Sequence, residues 1–255
     1  MAEVLENGDI YFLYRPRVGD ESVASLDEVQ RLMIVLHPWR GRSRLRLLVV
    51  GRKRLPRVDE HERFWAYVDT VADRPEELHE VLNERTYMTK TRGERHQPAA
   101  RPAGEGAYVI ARHDNHTHLA YRLRLPTRTG ASQRDFNIEQ EASFIVAVRN
   151  PDAPPTARMR ALVRMGGPWR RRPELPRELW ERFGTRRFAP LDLPEFLDYP
   201  GVDLVIIGAT RDASAELGLA LDSELERAAR STIFDDLRIR PDERPIEPLF
   251  AGDWR

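Results

Sequence analysis

Three histidines, His113, His116 and His118, stand close together in AYVIARHDNHTHLAYRLRLP, and Arg122 and Arg124 follow at the same two-residue interval. On a β-strand that interval puts side chains on one face. Three neutral imidazoles are a ligand set that zinc accepts, and a bound water would then serve as a nucleophile for hydrolysis. Guanidinium forks instead hold carboxylates and phosphates through paired N–H donors. The face therefore has two expected chemistries: a divalent metal such as zinc on the three histidines, or an anion held by the arginines.

A second group precedes it. The stretch TKTRGERHQPAARPAGEG (89–106) carries Lys90, Arg92, Arg95, His96 and Arg101, with Gly93, Gly104 and Gly106 permitting close backbone approach. Cationic forks and glycine amides together suit phosphate or carboxylate. Because this loop leads directly into the histidine segment, the two groups are expected to form one site.

The elements that must position these side chains are strands. Residues 107–113 and 116–125 are β-branched and aromatic-rich, separated by Asp114-Asn115, a pair suited to a type I′ hairpin turn. That register sets His113 opposite His116, Ala111 opposite His118 and Val109 opposite Ala120, all on one face with Arg122 and Arg124. The other face takes Tyr108, Ile110, Arg112, Thr117, Leu119, Tyr121, Leu123 and Leu125 toward the core. A slip of one residue would scatter the set.

Elsewhere, 9–14, 32–38, 44–56, 137–150 and 203–209 read as strands, the last (DLVIIGA) with an uninterrupted apolar run after Asp203 and so expected to be buried on both faces. Ser25 to Glu28 has capping-box spacing. HERFWAYVDTVADRP (61–75) places Phe64, Val68, Val71 and Ala72 on one helical stripe, and a second helix is expected at 76–82. Asp222 or Ser223 is expected to cap a helix through Arg230, and the tail, with Leu249, Phe250 and Trp254, to dock on the body. The loop 86–106 is too rich in Gly, Pro and Arg to suggest regular structure.

From Pro151 the composition changes to a Pro/Arg-rich stretch. The expected organisation is α+β: a mixed, mainly antiparallel sheet with flanking helices in 1–150, a linker or surface excursion at 151–178, and a smaller α/β portion at 179–255. Residues 156–187 carry a net charge of +7 and 189–226 a net of −8. Such neighbouring blocks neutralise each other within one chain or pair between chains, the latter being a structural or assembly role.

Composition narrows the classes. With 41% hydrophobic and 32% charged residues the chain is globular, and its formal net charge of zero argues against indiscriminate coating of nucleic acid. Without cysteine there is no thiolate nucleophile or Cys-ligated metal. No apolar run is long enough for a membrane-spanning helix and no secretory leader pattern is present, so a cytoplasmic location is expected. P-loop, dinucleotide, nucleophile-elbow and HExxH patterns are absent. The leading expectation is a binding protein for an anionic partner, nucleic acid or a phosphorylated ligand, using Arg92, Arg95, Arg101, Arg122 and Arg124. The rivals are the three-histidine hydrolase and the assembly role.

Overall fold

The computed structural model describes residues 2–40, 44–91, 93–154, 172–219, 221 and 233–254. Arg92, most of the Pro/Arg-rich stretch and the helix expected after Asp222 lie outside the described residues. Alternating runs with bulk on both sides become strands along most of the chain. In order these are β1 (Glu3–Pro16), β2 (Val29–Pro38), β3 (Leu45–Val50) and β4 (Arg63–Ala72), then helix α1 (Pro75–Leu82). A separate hairpin follows, β5 (Arg85–Thr89) with β6 (Gly93–Gln97). Next come β7 (Arg101–His113), β8 (His116–Leu125), α2 (Ala131–Phe136) and β9 (Glu141–Arg149). The described remainder holds α3 (Arg177–Glu181), β10 (Phe188–Pro190), a 3-10 turn (Pro194–Asp198), β11 (Asp203–Thr210), α4 (Ala213–Leu217), α5 (Ile233–Asp236) and α6 (Glu247–Phe250).

Eight strands close on themselves in the order β1-β2-β3-β4-β11-β9-β8-β7, each antiparallel to its neighbours, and β7 returns to β1. β10 pairs with the far end of β9, beyond the reach of β8. This closed barrel replaces the expected mixed α+β sheet. The helices are short, eight residues at most among those described, and they cover the wall instead of forming a layer. Closure rests on long-range pairings such as β8 with β9 and β4 with β11, which no local pattern announces. Residues 203–210, beyond the Pro/Arg-rich stretch, form a stave of the same barrel.

One set of alternating side chains fills the interior: Ile10, Phe12, Leu32, Ile34, Leu48, Ala66, Val68, Tyr108, Ile110, Leu119, Tyr121, Phe144, Val146, Leu204 and Ile206. The rings of Phe12 and Tyr121 meet edge to face at 4.9 Å, and Tyr121 stacks on Phe144 at 6.2 Å. The barrel is thus packed solid. The opposite set faces outward, yet much of it is covered. Tyr11, Leu13, Val35, Leu47 and Val49 lie beneath Leu78 and Leu82 of α1, together with Ile233, Leu237 and Leu249. Fully burying a leucine contributes about 2 kcal/mol, so α1 is held chiefly by its apolar pair.

Two-sided burial explains the misplaced element at 61–75. The segment is strand β4, with Ala66 and Val68 inside and Trp65 and Tyr67 outside. Consecutive apolar positions on both faces imitate a helical stripe, and the aromatic and β-branched content decides for a strand. The expected loop 86–106 is corrected too. It contains β5, β6 and the start of β7, where Pro102 falls at a register shift against β1, the place in a sheet where proline is tolerated. The helix at 76–82 and the capping box at Ser25 are present, the latter with the Glu28 carboxylate accepting from the Ser25 amide at 3.3 Å. The tail docks through Leu249 and Trp254, while Phe250 remains exposed.

Among the described residues, no helix is long and apolar enough to cross a membrane. The wall carries one carboxylate whose titration should be visible in stability. Burial pushes Asp203 on β11 up to about 7, partly offset by Arg149, whose Nη1 lies 3.2 Å away. Its unfolded value is near 3.8. Between those values the folded chain holds a proton that the unfolded chain has lost, so stability falls as pH rises through the window and levels off above 7. From pH 5 to 7 this group should cost about 2 kcal/mol, at about 1.4 kcal/mol per unit and less as the folded chain itself begins to titrate near 7. Urea unfolding of Asp203→Asn against the parent checks it: the parent should lose that much more stability over the window, and parallel profiles would refute it.

Candidate functional site

The β7–β8 hairpin has the expected register, with His113 paired to His116, Ala111 to His118 and Val109 to Ala120. The turn differs: Asp114 has φ 53° while Asn115 is not at positive φ, so it is not type I′. The two-residue loop nevertheless keeps the expected pairing of His113 with His116. The face is not open. Val109 and Ala120 are buried against Ala213 and Leu217 of α4 and against Leu221.

His118 is buried beneath that cover. Its Nδ1 lies 2.9 Å from Ser143 Oγ and 3.6 Å from Glu216 Oε2, and burial lowers its pKa. Serine and glutamate thus face one ring nitrogen, whereas a catalytic triad needs them on opposite nitrogens. His113 approaches His118 ring to ring at 6.0 Å, and His116 is exposed. Among the described residues, three ligand atoms come within 4.8 Å of one another only at Asp9, His37 and Asp236. The three hairpin histidines do not converge in this way.

The expected anion-binding set is divided. Lys90 is exposed beside the turn of the β5–β6 hairpin; Arg95 donates to the Val18 carbonyl at 3.4 Å; His96 stands 3.8 Å from Glu84. Arg101 is buried and donates to the Glu21 carbonyl. Arg122 pairs with Glu141 at 2.9 Å and Arg124 with the fully buried Glu105. The two groups also stand apart, because β7 runs from Arg101 to His113 and spans about 40 Å at roughly 3.4 Å per residue. The hairpin arm and the histidines therefore occupy opposite ends of the wall.

A bulge supplies another correction. Glu105 pairs with Leu125 but Gly106 with Leu123, so Arg124 is the extra residue. The shift turns Leu125 away from the interior set, and it packs on the outer cluster under α1 and α5.

What the barrel does offer is a cavity of about 650 Å³ at one mouth, lined by Val4, Leu5, Glu6, Asn7, Arg40, Arg46, Pro194, Glu195 and Asp198. Its floor is an ion cluster. Arg46 on β3 is 3% exposed and donates to both oxygens of Glu6, at 2.7 and 2.9 Å, and to Asp198 at 2.7 Å. Tyr108 from β7 adds a hydroxyl donor to Glu6 at 2.7 Å. Burial works against the Arg46 charge, but Glu6 and Asp198 outweigh it and raise its pKa; burial and the Glu6 charge raise Tyr108 well above its usual range.

The rim differs from this floor. Arg40 and Glu195 are exposed, and among the described residues neither has an ion-pair or hydrogen-bond partner. Sequence reasoning missed this site because its members lie on β1, β3, β7 and the 194–198 turn. One signal was available: Glu6 and Arg46 are ionisable residues beside apolar strand positions. Fold and site together define a closed, solid, eight-stranded antiparallel barrel with a charged cavity at its mouth. No family model, curated protein or solved structure matches the chain.

Proposed function

We propose that this protein binds a small zwitterionic molecule, one carrying both an ammonium and a carboxylate, in the cavity at the barrel mouth. The observation that carries this reading is the unpartnered pair of opposite charges, Arg40 and Glu195, on the rim of a ligand-sized cavity. Cavities of a few hundred cubic ångströms in barrel mouths commonly hold small molecules. Arg40 offers a fork for the carboxylate and Glu195 a partner for the ammonium. The floor binds neither, since Arg46 already satisfies Glu6 and Asp198. Two carboxylates against one guanidinium leave that floor net negative, which disfavours a purely anionic occupant. The anionic-partner reading is further weakened because Arg101, Arg122 and Arg124 already have partners.

The test is ligand-observed NMR with the free α-amino acids and glycine betaine at pH 7, followed by calorimetry on any that bind. At least one should bind with a Kd below 1 mM, and Arg40→Ala and Glu195→Gln should each weaken it at least tenfold, about 1.4 kcal/mol. No binding below 10 mM across the panel, or affinity unchanged in both variants, would dismiss the reading.

A further inference from the structure

A second polar cluster lies on the outer wall. Asp9 on β1 and His37 on β2 are direct cross-strand partners, and α5 sets Asp236 against them. One ligand atom from each lies within 4.8 Å of the others. Asp236 Oδ2 accepts from Tyr11 Oη at 2.6 Å and contacts His37 Nδ1 at 2.7 Å. Asp9 is 6% exposed; its Oδ2 accepts from Trp39 Nε1 at 2.5 Å, and its buried Oδ1 has no hydrogen-bond partner. Buried carboxylate oxygens are nearly always satisfied, and this one stands with a second carboxylate and an imidazole. The Arg124 guanidinium, within electrostatic reach of both carboxylates, makes no hydrogen bond to it, so the oxygen is left to meet a cation.

We propose that Asp9, His37 and Asp236 form a binding site for a divalent cation of the zinc class. One imidazole nitrogen and two carboxylate oxygens match the borderline preference of Zn²⁺ and leave coordination positions for solvent. Magnesium, which favours an octahedral oxygen set with several retained waters, fits a nitrogen-bearing set poorly. Trp39 and Tyr11 already orient the two carboxylates, as outer hydrogen-bond partners of metal ligands do. When the ion enters, His37 coordinates as a neutral imidazole, and any proton between it and Asp236 goes to solvent. The ion would join α5 to β1 and β2, tying the C-terminal segment to the wall. This site is independent of the mouth cavity and uses none of its lining residues.

The test uses untagged full-length protein carrying His113→Ala and His116→Ala, which removes two imidazoles from the hairpin end, stripped with chelator and titrated with Zn²⁺. One equivalent should bind with a Kd of 10 μM or tighter, the thermal midpoint should rise with Zn²⁺, and Mg²⁺ should do neither. Asp9→Asn keeps the shape and the Trp39 contact, and should weaken Zn²⁺ at least 100-fold. Asp236→Asn should do the same, with folding of each variant confirmed by circular dichroism. Less than a tenth of an equivalent bound, or affinity unchanged in folded Asp9→Asn, would overturn the proposal.

Discussion

Replacing Arg46 by methionine should cost about 5 kcal/mol and lower the thermal midpoint by roughly 10–20 °C, the largest loss expected from any single side chain in this barrel. Arg46 joins Glu6, Asp198 and, through Glu6, the Tyr108 hydroxyl beneath the mouth cavity. All three charged groups are mostly out of water, with side-chain exposures of 3% for Arg46, 13% for Glu6 and 11% for Asp198. Methionine fills much of the volume but leaves two carboxylates facing each other without a counter-charge. Removing one member of a buried ion cluster is far more damaging than replacing the whole cluster by apolar groups. The diagnostic comparison is therefore a triple variant, Arg46→Met with Glu6→Gln and Asp198→Asn, which should recover most of the loss. Denaturant unfolding measures both. A loss below about 1 kcal/mol for Arg46→Met, or no recovery in the triple variant, would contradict this account of the floor.

Alanine at Gly106 should be nearly as damaging, costing at least about 4 kcal/mol or preventing the barrel from closing. A Cβ there would overlap the carbonyl oxygen of Arg122, and it would stand 2.8 Å from the Arg122 carbonyl carbon and 2.9 Å from the Leu123 Cα. Every one of these is backbone of the neighbouring strand, so no rotamer change relieves the clash. Relief would require β8 to move from β7 at the bulge that holds Arg124 against Glu105. Gly104 is a milder case: its Cβ would meet side chains, Phe12 at 3.2 Å and Leu123 at 3.3 Å, which have some freedom to shift. Gly106→Ala should therefore be clearly more destabilising than Gly104→Ala when both are unfolded in urea. The reverse order, or equal losses, would show that the bulge tolerates separation.

These two residues show where sequence reasoning reaches its limit. Gly93, Gly104 and Gly106 signalled close backbone approach; Gly93 has open space around it, Gly104 meets side chains, and the property holds at Gly106. The approaching group at Gly106 is the adjacent strand, whereas a ligand was expected. Arg122 and Arg124 looked available because the sequence around them is basic. Their carboxylates, Glu141 and Glu105, come from β9 and from the opposite strand of the same hairpin, brought close by pairing. Likewise the stripe in 61–75 was a fair helical signal until both faces of β4 proved to be covered. Asp9 and His37 each adjoin an apolar run, Ile10–Tyr14 and Leu32–Leu36, yet only the pairing of β1 with β2 and the arrival of Asp236 bring them together.

By itself the sequence determined what depends on neighbours a few residues away. The strands β1, β2, β8 and β11, the helix beginning at Pro75, the Ser25 cap and the His113–His116 register all follow from apolar, β-branched and aromatic runs, turn residues and short-range hydrogen bonding. Tertiary structure alone decided the closure of eight strands into a barrel, the partner of each arginine and the meeting of Glu6, Arg46 and Asp198 at its mouth. Pairing between distant strands is worth little per residue until the whole ring forms, so its energy is cooperative and leaves no local mark on the chain.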